Sequence, residues 1–183
     1  MNIPNAPTRT VFYAEYISDL LGQIWLAATD KGICSIRFDE DSASFIAYLA
    51  TRVITSEAPS IVHSPVETRP YSDALDDYCE EKIQIQADLP VDLHQMTEFQ
   101  QQILQIVRQL PMGATTTYGD ISDQIENPNA SRAVGQVLRR NPIPIIIPCH
   151  RVISSDGTLG GYGGAIGSER KIALLKHEGV ILA

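Results

Sequence analysis

Three short stretches near the start of the chain carry the dense apolar patterning of strands: "TVFYAEYI" from Thr10, "GQIWLAAT" from Gly22 and "GICSIRF" from Gly32. Each is rich in β-branched and aromatic residues, and "SDLL" and "DKG" separate them. That pattern predicts an antiparallel meander. The period then changes. "DSASFIAYLATRV" sets Phe45, Leu49 and Val53 at helical spacing, with Asp41 or Ser42 as the N-cap. "SPVETRP" reads as a loop. "YSDALDDYCEEK" returns to helical spacing through Tyr71, Leu75, Tyr78 and Cys79, with its acids on the other side. "QIQADLPVDLHQM" keeps neither period and reads as a linker. The boundary is therefore expected near residues 86–96, giving domains 1–90 and 91–183.

The second half is helical first and irregular later. Thr97 and Gln100 have capping-box spacing ahead of Phe99, Ile103, Ile106, Val107 and Leu110, which share a face until "PMG" stops the helix. After "ATTTYG" a short helix carries Ile121 and Ile125. The turn "ENPNA" follows, then a helix "SRAVGQVLRRN" ended by Asn141 and Pro142. Two short helices around a tight turn fit a helix-turn-helix. In the second, Ala130, Val134, Val137 and Leu138 form an apolar stripe, and Arg132, Gln136, Arg139 and Arg140 form the opposite one. The polar stripe is either a solvated face or a recognition surface.

Charge decides how seriously to take the second option. The net charge of −8 speaks against nucleic acid, but the distribution reverses that. Residues 1–90 hold 6 Lys and Arg against 14 Asp and Glu, whereas residues 91–183 hold 8 of each. From 127 to 155 there is no acid, only Arg132, Arg139, Arg140 and Arg151. The opening "MNIPNAPTRT" lacks the apolar core of a secretory signal, and no run approaches the roughly 18 apolar residues of a membrane span. Three cysteines in such a chain argue for a reducing compartment, with the cytoplasm expected. Cys34 and Cys79 lie on apolar faces and read as small core residues.

The third cysteine is different. "IPIIIPCHRV" places Cys149, His150 and Arg151 side by side after an apolar run stiffened by Pro142, Pro144 and Pro148. A nucleophilic cysteine needs a base or positive charge nearby, and this tripeptide supplies both. Neighbours on an extended strand point to opposite faces, so His150 reaches Cys149 only through a bend or a bridging water. His63, His94 and His177 show no ligand spacing with the cysteines, so no metal is expected. Downstream, "GTLGGYGGAIG" suggests a loop whose backbone approaches a flat ligand, with Tyr162 as a wall. The last helix runs from Ser168 to Gly179; Glu178 in its final turn is either offset by Lys176 and His177 or needs a cationic partner, for which an imidazole in the site is a candidate. These residues alone leave two readings open: a Cys-His hydrolase or acyltransferase, or a DNA-binding protein whose Cys149 is incidental or a redox sensor.

Taken in order, "FQ" at 99–100, "G-x-x-x-x-Y-G-x-I" at 113–121, "NPNASRAVGQVLRRNP" at 127–142, "IPCHRV" at 147–152, "GY" at 161–162 and "LLKHEG" at 174–179 resemble the O6-alkylguanine-DNA alkyltransferases, also called methylated-DNA–protein-cysteine methyltransferases. The resemblance implies an N-terminal RNase H-like α/β domain, a strand meander plus helices. A winged-helix, helix-turn-helix DNA-binding domain carrying the alkyl acceptor would follow it. It implies stoichiometric, cofactor-free transfer of the alkyl group from O6-alkylguanine in double-stranded DNA to Cys149, with O4-alkylthymine a candidate second substrate. His150 would act as base through water, Glu178 would hold the imidazole, Asn141 would orient the turn, and Tyr118 would stabilise or protonate the departing guanine. Arg132 would fill the space of the flipped nucleotide; Gln136, Arg139 and Arg140 of the polar stripe and Arg151 of the acid-free window are the candidates to hold DNA. Tyr162, Gly163 and Val152 would line the base pocket. The chain lacks the N-terminal cysteines with which some members bind zinc. The expected protein is a monomer without DNA and has no membrane partner.

Overall fold

The computed structural model describes residues 10–52, 60–162, 165–166 and 169–180, a mixed α/β chain. These fall into two compact units. One takes residues up to Asp76 together with Asp88–Gln95, and the other takes Asp77–Ala87 and Met96 onward. The division is therefore not a single cut near residue 90.

The first unit is built on the predicted meander. Strands β1 (Thr10–Ser18), β2 (Gly22–Thr29) and β3 (Gly32–Phe38) pair antiparallel in register Tyr13↔Ala27 and Leu26↔Ile36. Helix α1 (Ser42–Arg52) begins at the expected cap, where the Asp41 side chain accepts the Ser44 amide at 2.8 Å. Strand β4 (Ser60–His63) then returns parallel to β1 and completes the order β3-β2-β1-β4. β4 was not legible, because its four residues are mostly exposed and lack alternation. Val53, expected to extend the stripe of α1, lies outside the described residues.

Alternation puts Val11, Trp25, Ala27 and Cys34 on one face of the sheet, packed with Phe45 and Leu49 of α1. Trp25 and Phe45 stack at 5.9 Å, and the indole N–H donates to the Glu40 carbonyl at 2.8 Å. Each fully buried residue of this kind contributes roughly 1.5–3 kcal/mol relative to exposure. β2 is buried on both faces, which is why "IWLAAT" reads as a nearly continuous apolar run.

Helix α2 (Pro65–Glu80) starts earlier than expected and absorbs the predicted loop 64–70. Pro65 suits a first helical position. Pro70 lies inside the helix, where it removes the amide that would pair with the carbonyl of Val66, itself an exposed residue. Tyr71, Leu75 and Tyr78 are buried as their spacing predicts, while Cys79 is only half-buried. The expected linker is not free chain. Ile33 donates to the Pro90 carbonyl at 3.1 Å and accepts from the Asp92 amide at 2.8 Å, so residues 88–95 dock on β3.

In the second unit, α3 (Glu98–Arg108) carries the capping box between Thr97 and Gln100. Its buried side is Ile103, Leu104, Val107 and Arg108. The expected face was rotated: Phe99 is exposed, and Ile106 and Leu110 are half-buried. Strand β5 (Thr116–Thr117) leads into α4 (Tyr118–Gln124), and a turn joins it to α5 (Ser131–Arg139). Ser122 fastens that turn, donating to the Asn127 carbonyl and accepting the Ala130 amide. A 3-10 turn η1 (Cys149–Arg151) runs into β6 (Val152–Ile153), which pairs parallel with β5. Strands β7 (Gly161–Tyr162) and β8 (Ala165–Ile166) pair antiparallel, so part of the expected glycine-rich loop is a ladder. Helix α6 (Glu169–His177) follows; Ser168, its expected start, lies outside the described residues.

Gly32 tests the docking of residues 88–95. At φ +141°, a Cβ on it would meet the Pro90 carbonyl carbon and oxygen at 2.5 Å. Gly32→Ala is expected to lower unfolding free energy by about 2–3 kcal/mol, read as a reduced urea midpoint at unchanged m-value.

Candidate active site

Asn141 ends α5 and organises the segment that follows. Its amide Nδ2 donates to the Ile147 carbonyl at 2.8 Å and to Cys149 Sγ at 3.2 Å, and its Oδ1 accepts the Ile143 amide at 3.0 Å. The run Ile143–Ile147 is thereby folded back rather than extended, with the Ile147 amide donating to the Ile143 carbonyl at 2.9 Å. Ile145 pays for this with φ +77°, a left-handed conformation that costs a β-branched residue on the order of 1–3 kcal/mol.

This turn delivers Cys149 into η1, and the 3-10 geometry supplies the bend that an extended strand could not. Cys149 is 8% exposed. Burial pushes its thiol above the usual cysteine range, against the Asn141 hydrogen bond and the charge of Lys171, which pull it down. At neutral pH it rests as a thiol.

His150 is fully buried and its Nε2 lies 2.7 Å from Glu178 Oε1. The same carboxylate accepts from the Tyr78 hydroxyl at 2.7 Å, from Arg151 Nη2 and Nε at 2.9 Å each, and from the Gly113 amide at 3.4 Å. Burial alone raises the pKa of Glu178, but the hydrogen bonds and charges of His150 and Arg151 outweigh it and hold the pKa at about 2. An ionised carboxylate only accepts, so His150 carries its proton on Nε2 and presents Nδ1 as a lone pair. Nδ1 is buried with no hydrogen-bond partner among the described residues. Burial lowers the His150 pKa, against the pull of Glu178, which keeps the ring neutral.

Glu178 stands just past α6, where Gly179 donates to the Lys176 carbonyl at 3.0 Å and Val180 to the Leu175 carbonyl at 2.9 Å, the pairing of a Schellman motif. The unfavourable helix end noted in the sequence is compensated by Arg151 and His150 together. Arg151 corrects an expectation. It was grouped with the DNA-contacting residues because it falls in the acid-free window, yet it is 4% exposed, forks onto Glu178 and donates from Nη1 to the Leu110 carbonyl. A guanidinium with these partners is not available to phosphate.

Arg132, Gln136, Arg139 and Arg140 are exposed along one side of α5, while Ala130, Val134, Val137 and Leu138 are buried, matching both stripes. Tyr118 opens α4 behind the Thr117–Asp120 capping box. Its ring is covered by Gly135 and Gly160; a Cβ at Gly160 would lie 2.9 Å from the Tyr118 hydroxyl. Burial, and then the neighbouring Cys149, raise its pKa, so it remains a proton donor. Tyr162 is buried, with its ring edge-on to His150 at 6.3 Å. Val152 is buried in β6 and its carbonyl accepts Lys171 Nζ at 2.6 Å. Gly163 lies outside the described residues.

Two members of the cluster were missed. Lys171 is wholly buried, donates also to the Leu159 carbonyl, and is depressed to about 8 by burial despite the opposing effect of Cys149. Its signal was a lysine on the stripe Lys171, Leu174, Leu175 and Glu178. Tyr78 was read only as an apolar position, although a buried tyrosine brings a hydroxyl that needs a partner. Among the described residues no group of His, Cys, Asp and Glu has the makings of a metal site.

The site thus joins a buried thiol held by Asn141, a buried imidazole–carboxylate pair that follows it in the chain, and a helix with an arginine-bearing face. The family described as "6-O-methylguanine DNA methyltransferase, DNA binding domain" matches residues 98–180. A methylated-DNA–protein-cysteine methyltransferase from Shigella flexneri is 33% identical over 169 residues, covering 92% of this chain and 96% of that protein. One from Mycobacterium leprae is 52% identical over 82 residues, 45% of this chain and 48% of that protein. The chain thus spans about half the length of the first curated relatives it matches. The crystal structure of Mycobacterium tuberculosis OGT in complex with DNA is similar with a TM-score of 0.70 and 35% identity, over 91% of this chain and 92% of that one. The chain belongs to the methylated-DNA–protein-cysteine methyltransferase family.

The Glu178 network predicts an acid limb of stability. A carboxylate depressed from 4.5 to about 2 stabilises fully above 4.5, and that contribution is lost as pH falls from 4.5 through about 2. Urea unfolding measured across this window should show a steep decline that Glu178→Gln flattens. Arg151→Met, which strands the carboxylate, should cost about 3–5 kcal/mol at neutral pH in the same assay.

Proposed function

We propose that this protein repairs double-stranded DNA by moving the alkyl group of O6-alkylguanine onto Cys149, once per molecule. The observation that carries the reading is the buried Cys149 thiol, tied to Asn141 at the end of α5 and followed directly by the His150–Glu178 pair. The names of the relatives, which refer to methylated DNA and to a DNA complex, support the substrate class.

The chemistry follows from the groups present. The thiol proton passes through water to His150 Nδ1 as Sγ attacks the alkyl carbon. The carbon–oxygen bond breaks, and its electron pair leaves on guanine, which Tyr118 protonates. Glu178 balances the imidazolium that forms. Asn141 and Lys171 stabilise the developing thiolate. The target oxygen faces a paired base, so the nucleotide must be turned out of the duplex into a pocket walled by Tyr162 and Val152. Arg132, second in α5, fills the space it leaves, while Gln136, Arg139 and Arg140 follow the groove and backbone. O4-alkylthymine presents a similar alkyl ether and is the candidate second substrate.

The finer fold assignment belongs to the same reading. The order β3-β2-β1-β4, with β4 parallel to β1, supports an RNase H-like fold for the first unit. The α4–turn–α5 pair with the β7–β8 hairpin supports a winged-helix fold for the second unit. The protein acts as a monomer and needs no cofactor. Its thiol must stay reduced to react, which fits the cytoplasm. No described helix is long and apolar enough to cross a membrane.

Stoichiometry tests the function. With excess duplex containing O6-methylguanine, the protein should remove one methyl per molecule and stop, because a thioether offers no leaving group at neutral pH. Intact mass should rise by one CH2, and peptide mapping should place it on Cys149; Cys149→Ser should transfer nothing measurable. Sustained turnover would favour a hydrolase, and DNA binding without modification would leave a binding protein.

A second measurement separates flipping from attraction. Arg132→Ala should slow repair in duplex DNA on the order of ten- to a hundredfold, with little effect on reaction with the free modified base. Arg139→Ala or Arg140→Ala should instead reduce the salt slope of DNA binding by about 1 each.

A further inference from the structure

We infer that Tyr78 is a positioning residue of the reaction centre, whose hydroxyl shares the charge of Glu178 so that His150 stays neutral and able to accept a proton. The inference rests on the reading of His150 as the base toward Cys149.

Three donors converge on one oxygen. Glu178 Oε1 accepts the Tyr78 hydroxyl at 2.7 Å, His150 Nε2 at 2.7 Å and Arg151 Nη2 at 2.9 Å. A carboxylate oxygen offers about two lone pairs, so each donor weakens the hold of the others. Arg151 has outlets besides Oε1, on Oε2 and on the Leu110 carbonyl. Tyr78 is fully buried, and Glu178 Oε1 is the partner its hydroxyl finds there. Its position is fixed from the other side as well. The Tyr78 carbonyl accepts His177 Nε2 at 2.8 Å, and the two rings meet at 5.2 Å. Residue 78 therefore holds both His177 and Glu178, at the point where α6 ends and backbone would otherwise fray.

The consequence falls on His150. Glu178 draws a proton toward the ring, whereas Arg151, Lys171 and burial oppose it; Cys149 and the edge of Tyr162 complete the surroundings. A carboxylate with undivided charge would favour the imidazolium, which has no lone pair for the Cys149 proton. Tyr78 trims that charge without adding a positive one. Burial, followed by the charge of Glu178, raises its own pKa, so the hydroxyl stays a donor throughout the working range.

Tyr78→Phe deletes the hydroxyl and keeps the ring, so the fold is retained. Ring-nitrogen NMR on the full chain, without substrate, should show the His150 protonation midpoint rise by about one pH unit, a tenfold gain in proton affinity. The acid limb of single-turnover methyl transfer should move up by the same amount, with little change on the alkaline plateau. Site-specific 3-fluorotyrosine at position 78, a stronger donor, should move both in the opposite direction. A midpoint and limb unmoved in both variants, or a rate lowered by one factor at every pH, would overturn the inference. The NMR comparison needs no transfer, so failure of the native protein to accept a methyl would sink the functional reading alone.

Discussion

The second unit depends on keeping one carboxylate buried. Glu178 is reached by donors from α2, from η1 and from the chain before β5. The cost of removing an anion from water falls only if every lone pair is met, and the guanidinium fork of Arg151 supplies the charge. That satisfaction makes Glu178 a rigid support rather than a titrating group. The tautomer of His150 is then dictated from behind, which leaves Nδ1 as a lone pair.

Much of this was legible in one dimension, and the reasons are local. The capping box at Thr97 and Gln100 depends on residues three apart, so sequence spacing was enough. The stripes of α5 depend on a 3.6 period, and Arg132, Gln136, Arg139 and Arg140 emerged exposed as that period requires. The Cys149–His150 pair was visible because three chemically loaded residues adjoin. β4 escaped because four mostly exposed residues carry no period, and its pairing with β1 is long-range. The start of α2 escaped because two prolines read as loop signals, although one suits a helix start and the other interrupts a single hydrogen bond.

Arg151 and Tyr78 mark a deeper limit. Both were classified by neighbours in sequence: an arginine in an acid-free window, a tyrosine on an apolar stripe. Each is defined instead by Glu178, 27 and 100 positions away. Lys171 is similar, since its partners are carbonyls that sequence does not distinguish. A charged or hydroxyl-bearing side chain on an apolar stripe was the available signal, and its meaning lay in finding which opposite group required it.

The parallel pair of β5 and β6 is only two residues long, Thr116↔Val152 and Thr117↔Ile153. Tyr118 comes directly after one strand, and η1 with Cys149 directly before the other. The spacing between the tyrosine and the thiol is thereby governed by peptide-bond geometry and ladder register, not by how intervening side chains happen to pack. Substitutions in the surrounding shell can drift, enlarging or reshaping the space around a substrate, while that interval holds. Only an insertion or deletion within the short ladder would reset it, since a slip of one residue turns every side chain to the opposite face.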